Sequence, residues 1–419
     1  MLLGLQNMKN YDISTALIHH DHFKDLEYGS IRSPIYTSVQ YGVNSVEDLI
    51  DIFQGRKKGA YNYSRQGTPS TASLEERVTL LEKGIGSICF SSGMAALATV
   101  FFTLLKSGDH IVSSKSLFGN TKSLLNTIEN LGVEVTFIDT SSEIEIINSI
   151  KPNTKLFFVE TIANPTTRIT LLEEIGILCE QHKILYVVDN TITSPALFTP
   201  YDVKASLVVN SLSKIMSGHA AALGGVITDT GLFDWTQYTN IAPIYRSTHP
   251  KQQGLLQMRK KGLRDMGASL SSEQAHQISL GLETFTLRVN KSSENAQLLS
   301  NFLNTHPKIK KVHFPGLVHH PEYNISKKLF KSNSWLLSFE LKQVELTNNF
   351  LNLLSLPIKA TGLGDTRTLI IPVASTIFWE AGPIVRKDMQ ISDGLIRVSV
   401  GLENIQDLIN DFTFALNQL

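Results

Sequence analysis

Lys214 stands in the stretch Leu207-Val208-Val209-Asn210-Ser211-Leu212-Ser213-Lys214, where a short β-branched run gives way to two hydroxyls and then one amine. A lysine among small hydroxyls at a strand end suits a Schiff-base nucleophile beside an anion site, although a solvated loop lysine has the same local sequence. Downstream, Gly218, Gly224 and Gly225 let backbone pass close to something bulky. Asp189 closes a second apolar run, Ile184-Leu185-Tyr186-Val187-Val188. It either caps a turn or holds a protonated ring nitrogen, since a neighbouring cation favours the charged carboxylate.

A lysine for a Schiff base and an acid for a pyridinium nitrogen are what pyridoxal phosphate requires to act as an electron sink. Ser91-Ser92-Gly93-Met94 follows Phe90 directly and opens a helix. Its free amides and the helix dipole suit a phosphate, with Gly93 allowing close approach, and the same residues also make an ordinary N-cap. Ser211 and Ser213 stand ready to donate from the far side. Arg397 lies inside the apolar run Leu395-Ile396-Arg397-Val398-Ser399-Val400. A buried guanidinium needs an anion, either a structural carboxylate or a substrate carboxylate gripped by two hydrogen bonds. His19-His20-Asp21-His22 has no matching ligands elsewhere, so no metal site is expected, and His319-His320 reads as a polar loop. Gly362-Leu363-Gly364 lacks the third glycine of a dinucleotide loop.

These residues sit where strands end. From Thr71 on, helical and strand patterns alternate: a helix over 73–83, strands at 87–90, 110–112, 133–138, 155–159, 184–188 and 207–209, with helices between. Such alternation implies βαβ units and a mainly parallel sheet, with ligands beyond its carboxyl edge. Residues up to about Pro69 show little periodicity and read as an irregular arm of the kind that wraps a partner. Ser271 to Leu303 reads as one long helical region that could link two domains, followed by strand-like pieces at 335–341, 369–371 and 395–400.

With 419 residues the chain is large enough for two or three units. Lys plus Arg and Asp plus Glu are 38 each, so no net field favours nucleic acid or an anionic membrane. No apolar run reaches the roughly 20 residues of a membrane helix, and Met1–Leu5 is too short for a signal-peptide core. Two cysteines, Cys89 and Cys179, support neither a disulfide framework nor a zinc site, and the expected location is the cytoplasm.

In order, Tyr63-Ser64-Arg65, Ser91-Ser92-Gly93-Met94-Ala95, Glu160-Thr161 with Asn164-Pro165, Asp189-Asn190-Thr191, Ser211-Leu212-Ser213-Lys214 and Gly394 to Gly401 resemble the Cys/Met-metabolism family of pyridoxal-phosphate enzymes. The resemblance covers about Thr15 to Phe414. It implies fold type I: a 70–265 cofactor domain with a mainly parallel seven-stranded sheet, a smaller 266–419 α+β domain, and a 1–69 arm contacting a partner in a homotetramer. Lys214 would carry the cofactor and shuttle protons, and Asp189 would pair with the ring nitrogen. Gly93, Met94, Ser211 and Ser213 would hold the phosphate, joined by Tyr63 and Arg65 from the neighbouring subunit, with Tyr63 also serving in proton transfer. Arg397 would bind the substrate carboxylate, and Asn164 would sit near the cofactor's phenolic oxygen and the substrate. Phe118 stands where most members stack a tyrosine on the ring, Asn120 replaces the cysteine typical of methionine γ-lyases, and Thr361 stands where some γ-acting members have glutamate. The expected activity is C–S bond chemistry on a small amino acid, led by β-elimination from cystathionine. Replacement on an O-acyl-homoserine is the alternative, and a cofactor-binding relative without chemistry the remote one.

Overall fold

The computed structural model describes residues 11–419 apart from Phe23, Asp25 and Lys58; the Met1–Leu5 stretch lies outside them. A seven-stranded sheet forms from β1 (Gly86–Phe90), β2 (His110–Ser114), β3 (Glu134–Ile138), β4 (Thr154–Glu160), β5 (Leu185–Asp189), β6 (Leu207–Asn210) and β7 (Gly225–Asp229), in the order β1-β7-β6-β5-β4-β2-β3. Only β7 runs against its neighbours, β1 and β6. The central strands are near-continuous apolar runs because helices cover both faces. Side-chain alternation then sends Phe157, Val159, Tyr186, Val188 and Val208 to one face and Phe158, Leu185, Val187 and Val209 to the other. Each such side chain gains about 1.5–3 kcal/mol from burial.

The second sheet comprises β8 (Ile309–His313), β9 (Leu336–Leu341), β10 (Leu369–Pro372) and β11 (Leu395–Ser399), in the order β10-β11-β9-β8 and antiparallel throughout. Ile396 and Val398 face a core shared with Leu299 and Leu303 of the helix Phe285–Thr305 and with Phe412 and Leu416 of the helix Ile405–Asn417. The two-residue period therefore turns Arg397 and Ser399 to the opposite face. The helix Phe285–Thr305 serves both cores: Phe285 and Val289 pack under the first sheet, Leu299 and Leu303 under the second. Among the described residues no helix is long and apolar enough to cross a membrane.

Four features depart from the sequence reading. The region 271–303 is two helices, Ser272–Glu283 and Phe285–Thr305, broken at Thr284. Arg288 accommodates the break by donating from Nη2 to the Gly281 carbonyl at 2.6 Å. The arm contains the helix Val46–Phe53, whose N-cap Ser45 accepts from the Asp48 amide at 3.0 Å; its apolar stripe of Val46, Leu49, Ile50 and Phe53 has helical spacing, which the sequence reading passed over, and it buries no residue. Strands β7 and β8 carry weak patterns, the first opening on Gly225 and the second interrupted by the adjacent exposed lysines Lys310 and Lys311. The pair His319-His320 is not simply a polar loop: His320 is buried against Glu322 (3.5 Å) and Thr167 (3.3 Å), and burial brings its imidazole down to about 4. In the arm, His20 is likewise buried between Asp21 and Glu76, and Asp21 pairs with Arg77 at 2.8 Å.

Candidate active site

Strands β1, β4, β5 and β6 end on the same edge of the sheet, and a cavity of about 450 Å³ opens beyond it. Its lining brings together Gly93, Met94, Phe118, Asn164, Asp189, Ser211, Ser213, Lys214 and Arg397. Tyr63 and Arg65 are not among them. They line a separate hollow with Gly267 and Ser269, the Arg65 guanidinium over the Tyr63 ring at 5.4 Å and bonded to the Arg264 carbonyl.

Ser92 is the N-cap of the helix Gly93–Leu104, its hydroxyl accepting from the Ala95 amide at 3.1 Å. Gly93 lies against Ser211: a Cβ there would stand 2.9 Å from the Ser211 Cβ and 3.1 Å from its Oγ. Gly225 is packed as tightly against the Ser92 carbonyl, at 2.1 Å from its own notional Cβ. The two glycines thus hold the helix N-terminus onto the end of β6, forming a narrow cradle of amides and one hydroxyl. The expected cost of crowding it is about 1–3 kcal/mol. Gly93→Ala should accordingly weaken pyridoxal phosphate binding about tenfold in an equilibrium titration, with unchanged far-UV circular dichroism. Ser213 is less free than Ser211, since its hydroxyl donates to the Gly224 carbonyl (3.1 Å) and accepts from the Gly224 amide (2.9 Å).

Thr191 joins two strand ends, its amide donating to Asp189 Oδ1 at 2.9 Å and its hydroxyl accepting from the Ser211 amide at 2.8 Å. Asp189 is in register with Glu160 of β4, and both line the cavity. Burial pushes the Asp189 carboxyl up, and its two bonds from Thr191 pull it partly back. Glu160 is driven well above the usual carboxylate range by burial and then by Asp189, while accepting from the Phe118 amide at 2.8 Å. Lys214 sits in the turn after β6, and burial, then the Arg397 charge, lower its amine. Among the described residues no ion pair holds it. Arg288 braces that turn by donating to the carbonyls of Ile215 (2.6 Å) and Met216 (3.1 Å).

Arg397 is 1% exposed and has no carboxylate partner among the described residues. It donates to the Thr361 and Gly362 carbonyls at 2.8 and 3.1 Å and to Asn164 Oδ1 at 3.4 Å, and its Nε is buried without a partner. Burial lowers the guanidinium to about 9. The cavity's two acids and two bases are all pushed toward their neutral forms. A ligand with a protonated ring nitrogen, a phosphate and a carboxylate would relieve that tension at Asp189, the Gly93 cradle and Arg397, so the residues fit pyridoxal phosphate and an amino acid. Sequence reasoning assigned no role to Glu160 or Thr191, although both stand in strand-end clusters. It also passed over the apolar wall residues Ile162, Leu223 and Ile377, which carry no chemical signature in a sequence.

This combination of sheet, lysine and acid defines a pyridoxal-phosphate enzyme of fold type I. The chain belongs to the Cys/Met metabolism PLP-dependent enzyme family, whose model matches residues 14–417. It is 37% identical over 416 residues to an L-methionine gamma-lyase of Fusobacterium nucleatum, covering 98% of this chain and all of the relative. It is 34% identical to the cystathionine beta-lyase MetC of Bacillus subtilis, covering 98% and 97%. A Campylobacter jejuni crystal structure carrying N'-pyridoxyl-lysine-5'-monophosphate superposes with a TM-score of 0.91 at 32% identity, covering 97% of this chain and 100% of that one. The cofactor of this chain is pyridoxal phosphate.

Proposed function

We propose that this protein is a carbon–sulfur lyase that eliminates a thiol from a sulfur amino acid. Arg397 binds the substrate carboxylate through its guanidinium, oriented by the Thr361 and Gly362 carbonyls. Lys214 would hold the cofactor, and its Nζ, when free, would take the proton from the substrate Cα and, before a thiol can leave the γ carbon, one from Cβ, returning a proton to the departing sulfur; burial and the Arg397 charge favour the neutral amine this needs. Bound in the cavity, pyridoxal phosphate supplies an electron sink for the charge left on Cα. Asp189 would hold the ring nitrogen, Phe118 would pack on the ring, Asn164 would serve its phenolic oxygen and the substrate, and Gly93, Met94, Ser211 and Ser213 would hold the phosphate.

The observation that carries the substrate reading is the uncharged remainder of the lining. Apart from Glu160, Asp189, Lys214 and Arg397 the cavity is walled by groups such as Phe118, Ile162, Leu223 and Ile377 with neutral Asn120 and Thr361. Cystathionine, the expectation from sequence, brings a second charged amino-acid end, and beyond those four groups no charged side chain among the described residues of the same copy lines the cavity to meet it. A thioether with a short uncharged substituent, as in methionine, needs none. The second reading is β-elimination from cystathionine, supported by the Bacillus subtilis relative.

The arm supports a shared site. Ile31, Val46 and Phe53 are 91%, 67% and 69% exposed, an apolar surface suited to a second copy, whose cavity Tyr63 and Arg65 would then reach. Domains of 70–265 and 266–419 and a homotetramer belong to this reading.

The purified enzyme should be incubated separately with methionine, with cystathionine, and with each acyl-homoserine plus sulfide. Methanethiol with 2-oxobutyrate is the expected result. Pyruvate with homocysteine from cystathionine at a higher kcat/KM would establish the second reading, and turnover of only the acyl esters would overturn both.

A further inference from the structure

Glu82 ends the helix Pro69–Leu81 beneath the cofactor cavity, and it is fully buried. Its Oε1 accepts from two amides, Asn210 Nδ2 at 2.7 Å and Asn190 Nδ2 at 3.0 Å. These asparagines immediately follow Asp189 at the end of β5 and precede Ser211 at the end of β6. Asn190 is fixed further by donating to the Phe198 carbonyl at 3.0 Å and accepting from the Thr193 hydroxyl. One carboxyl therefore ties together the two strand ends that present the acid for the ring nitrogen and the hydroxyl for the phosphate.

Two atoms in this cluster have no partner among the described residues. Glu82 Oε2 and Asn210 Oδ1 are both buried and unbonded, and they belong to groups already joined through Oε1 and Nδ2. A carboxylate has no proton to offer, so the ionised form leaves both oxygens bare in a dry environment, at a cost. A carboxylic acid has one O–H, and donating it to Asn210 Oδ1 closes a two-bond acid–amide ring that satisfies both atoms. Among the described residues no charged group acts on Glu82; what faces it are the two amides from β5 and β6, and burial pushes its carboxyl up to about 7.

We propose that Glu82 is a positioning residue that works as the neutral carboxylic acid, closing a hydrogen-bonded ring with Asn210 that sets Asp189 and Ser211 for pyridoxal phosphate. It touches neither cofactor nor substrate, and it acts through Asn190 and Asn210. The proposal concerns cofactor binding and rests on the family assignment, not on which sulfur substrate is cleaved.

Glutamine is the isosteric neutral stand-in, since its amide nitrogen can donate to Asn210 Oδ1 while its oxygen accepts from both asparagines. Glu82→Gln should keep pyridoxal phosphate affinity within about twofold of wild type, whereas Glu82→Ala should lose about tenfold or more. Thermal unfolding of the cofactor-free protein between pH 5 and pH 8 supplies the second measurement. The folded-state value lies above the unfolded one, so wild-type stability from this group is present at low pH and lost as pH rises toward about 7. The glutamine variant has no such group, and its Tm should gain on wild type across that window and stay level above it. Glu82→Gln binding cofactor as poorly as an alanine variant, or a Tm difference independent of pH, would overturn the proposal. If the alanine variant does not fold, the glutamine variant still decides it. A failure to cleave any thioether would leave both measurements unaffected.

Discussion

Lys214→Ala should abolish the absorbance that pyridoxal phosphate gives near the visible edge when bound, and should lower turnover by at least about 10³-fold. General acid–base catalysis by a positioned group is worth about 10²–10⁴ in rate, and the lysine also supplies the covalent attachment. No second amine lines the cavity among the described residues, so no neighbour can replace it. Difference absorbance on adding cofactor, followed by a single-turnover measurement, checks the result. A variant that kept both the band and the rate would sink the assignment of Lys214. The pH dependence has a definite sign. The neutral amine is the working base, so the rate rises with pH, and because burial and Arg397 lower the amine, the rise lies below the ordinary lysine value of 10.5.

The second large effect is at Arg397. Replacement by leucine removes the guanidinium fork that would grip a substrate carboxylate through two charge-assisted bonds. At about 1.5–3 kcal/mol each, their loss corresponds to roughly 10³-fold in kcat/KM. The fold should tolerate the change: among the described residues no carboxylate partner is left behind, and the acceptors it releases are the carbonyls of exposed Thr361 and half-buried Gly362 and the Oδ1 of Asn164, a long bond on the lining of the open cavity. Tm should therefore move by no more than about 2 °C. Because the Arg397 charge helps lower Lys214, its removal should also shift the rising limb of the pH profile to higher pH. Lost activity accompanied by a collapse in Tm would instead assign Arg397 a structural role.

The place of Arg397 in an apolar strand called for an anion, from the chain or from a substrate, and among the described residues no carboxylate of the chain pairs with it. What local pattern leaves open has a plain origin. Period-two alternation fixes that residue 397 shares a face with Ser399 and opposes Ile396 and Val398, but not what that face meets. Here it meets the carboxyl edge of the other sheet, where Asn164 and the 361–362 carbonyls come together. The resemblance brings Tyr63 and Arg65 to the phosphate from a neighbouring subunit, and one copy of the chain holds them in a separate hollow.

The sequence by itself determined the strands that are continuous apolar runs, the polar residues that close them, and hence the edge on which chemistry collects. Such runs form only when both faces are covered, so their pattern survives in one dimension. It did not determine β7 and β8, whose glycine and lysine content weakens any pattern; the helix Val46–Phe53 was legible in its stripe of Val46, Leu49, Ile50 and Phe53, but that stripe is only two turns long and was passed over. Only the tertiary structure decided that Glu160 stands beside Asp189, that Thr191 links Asp189 to Ser211, and that Glu82 lies beneath both strand ends. Those contacts join residues up to 128 positions apart. They depend on strand order and register, which no local pattern encodes.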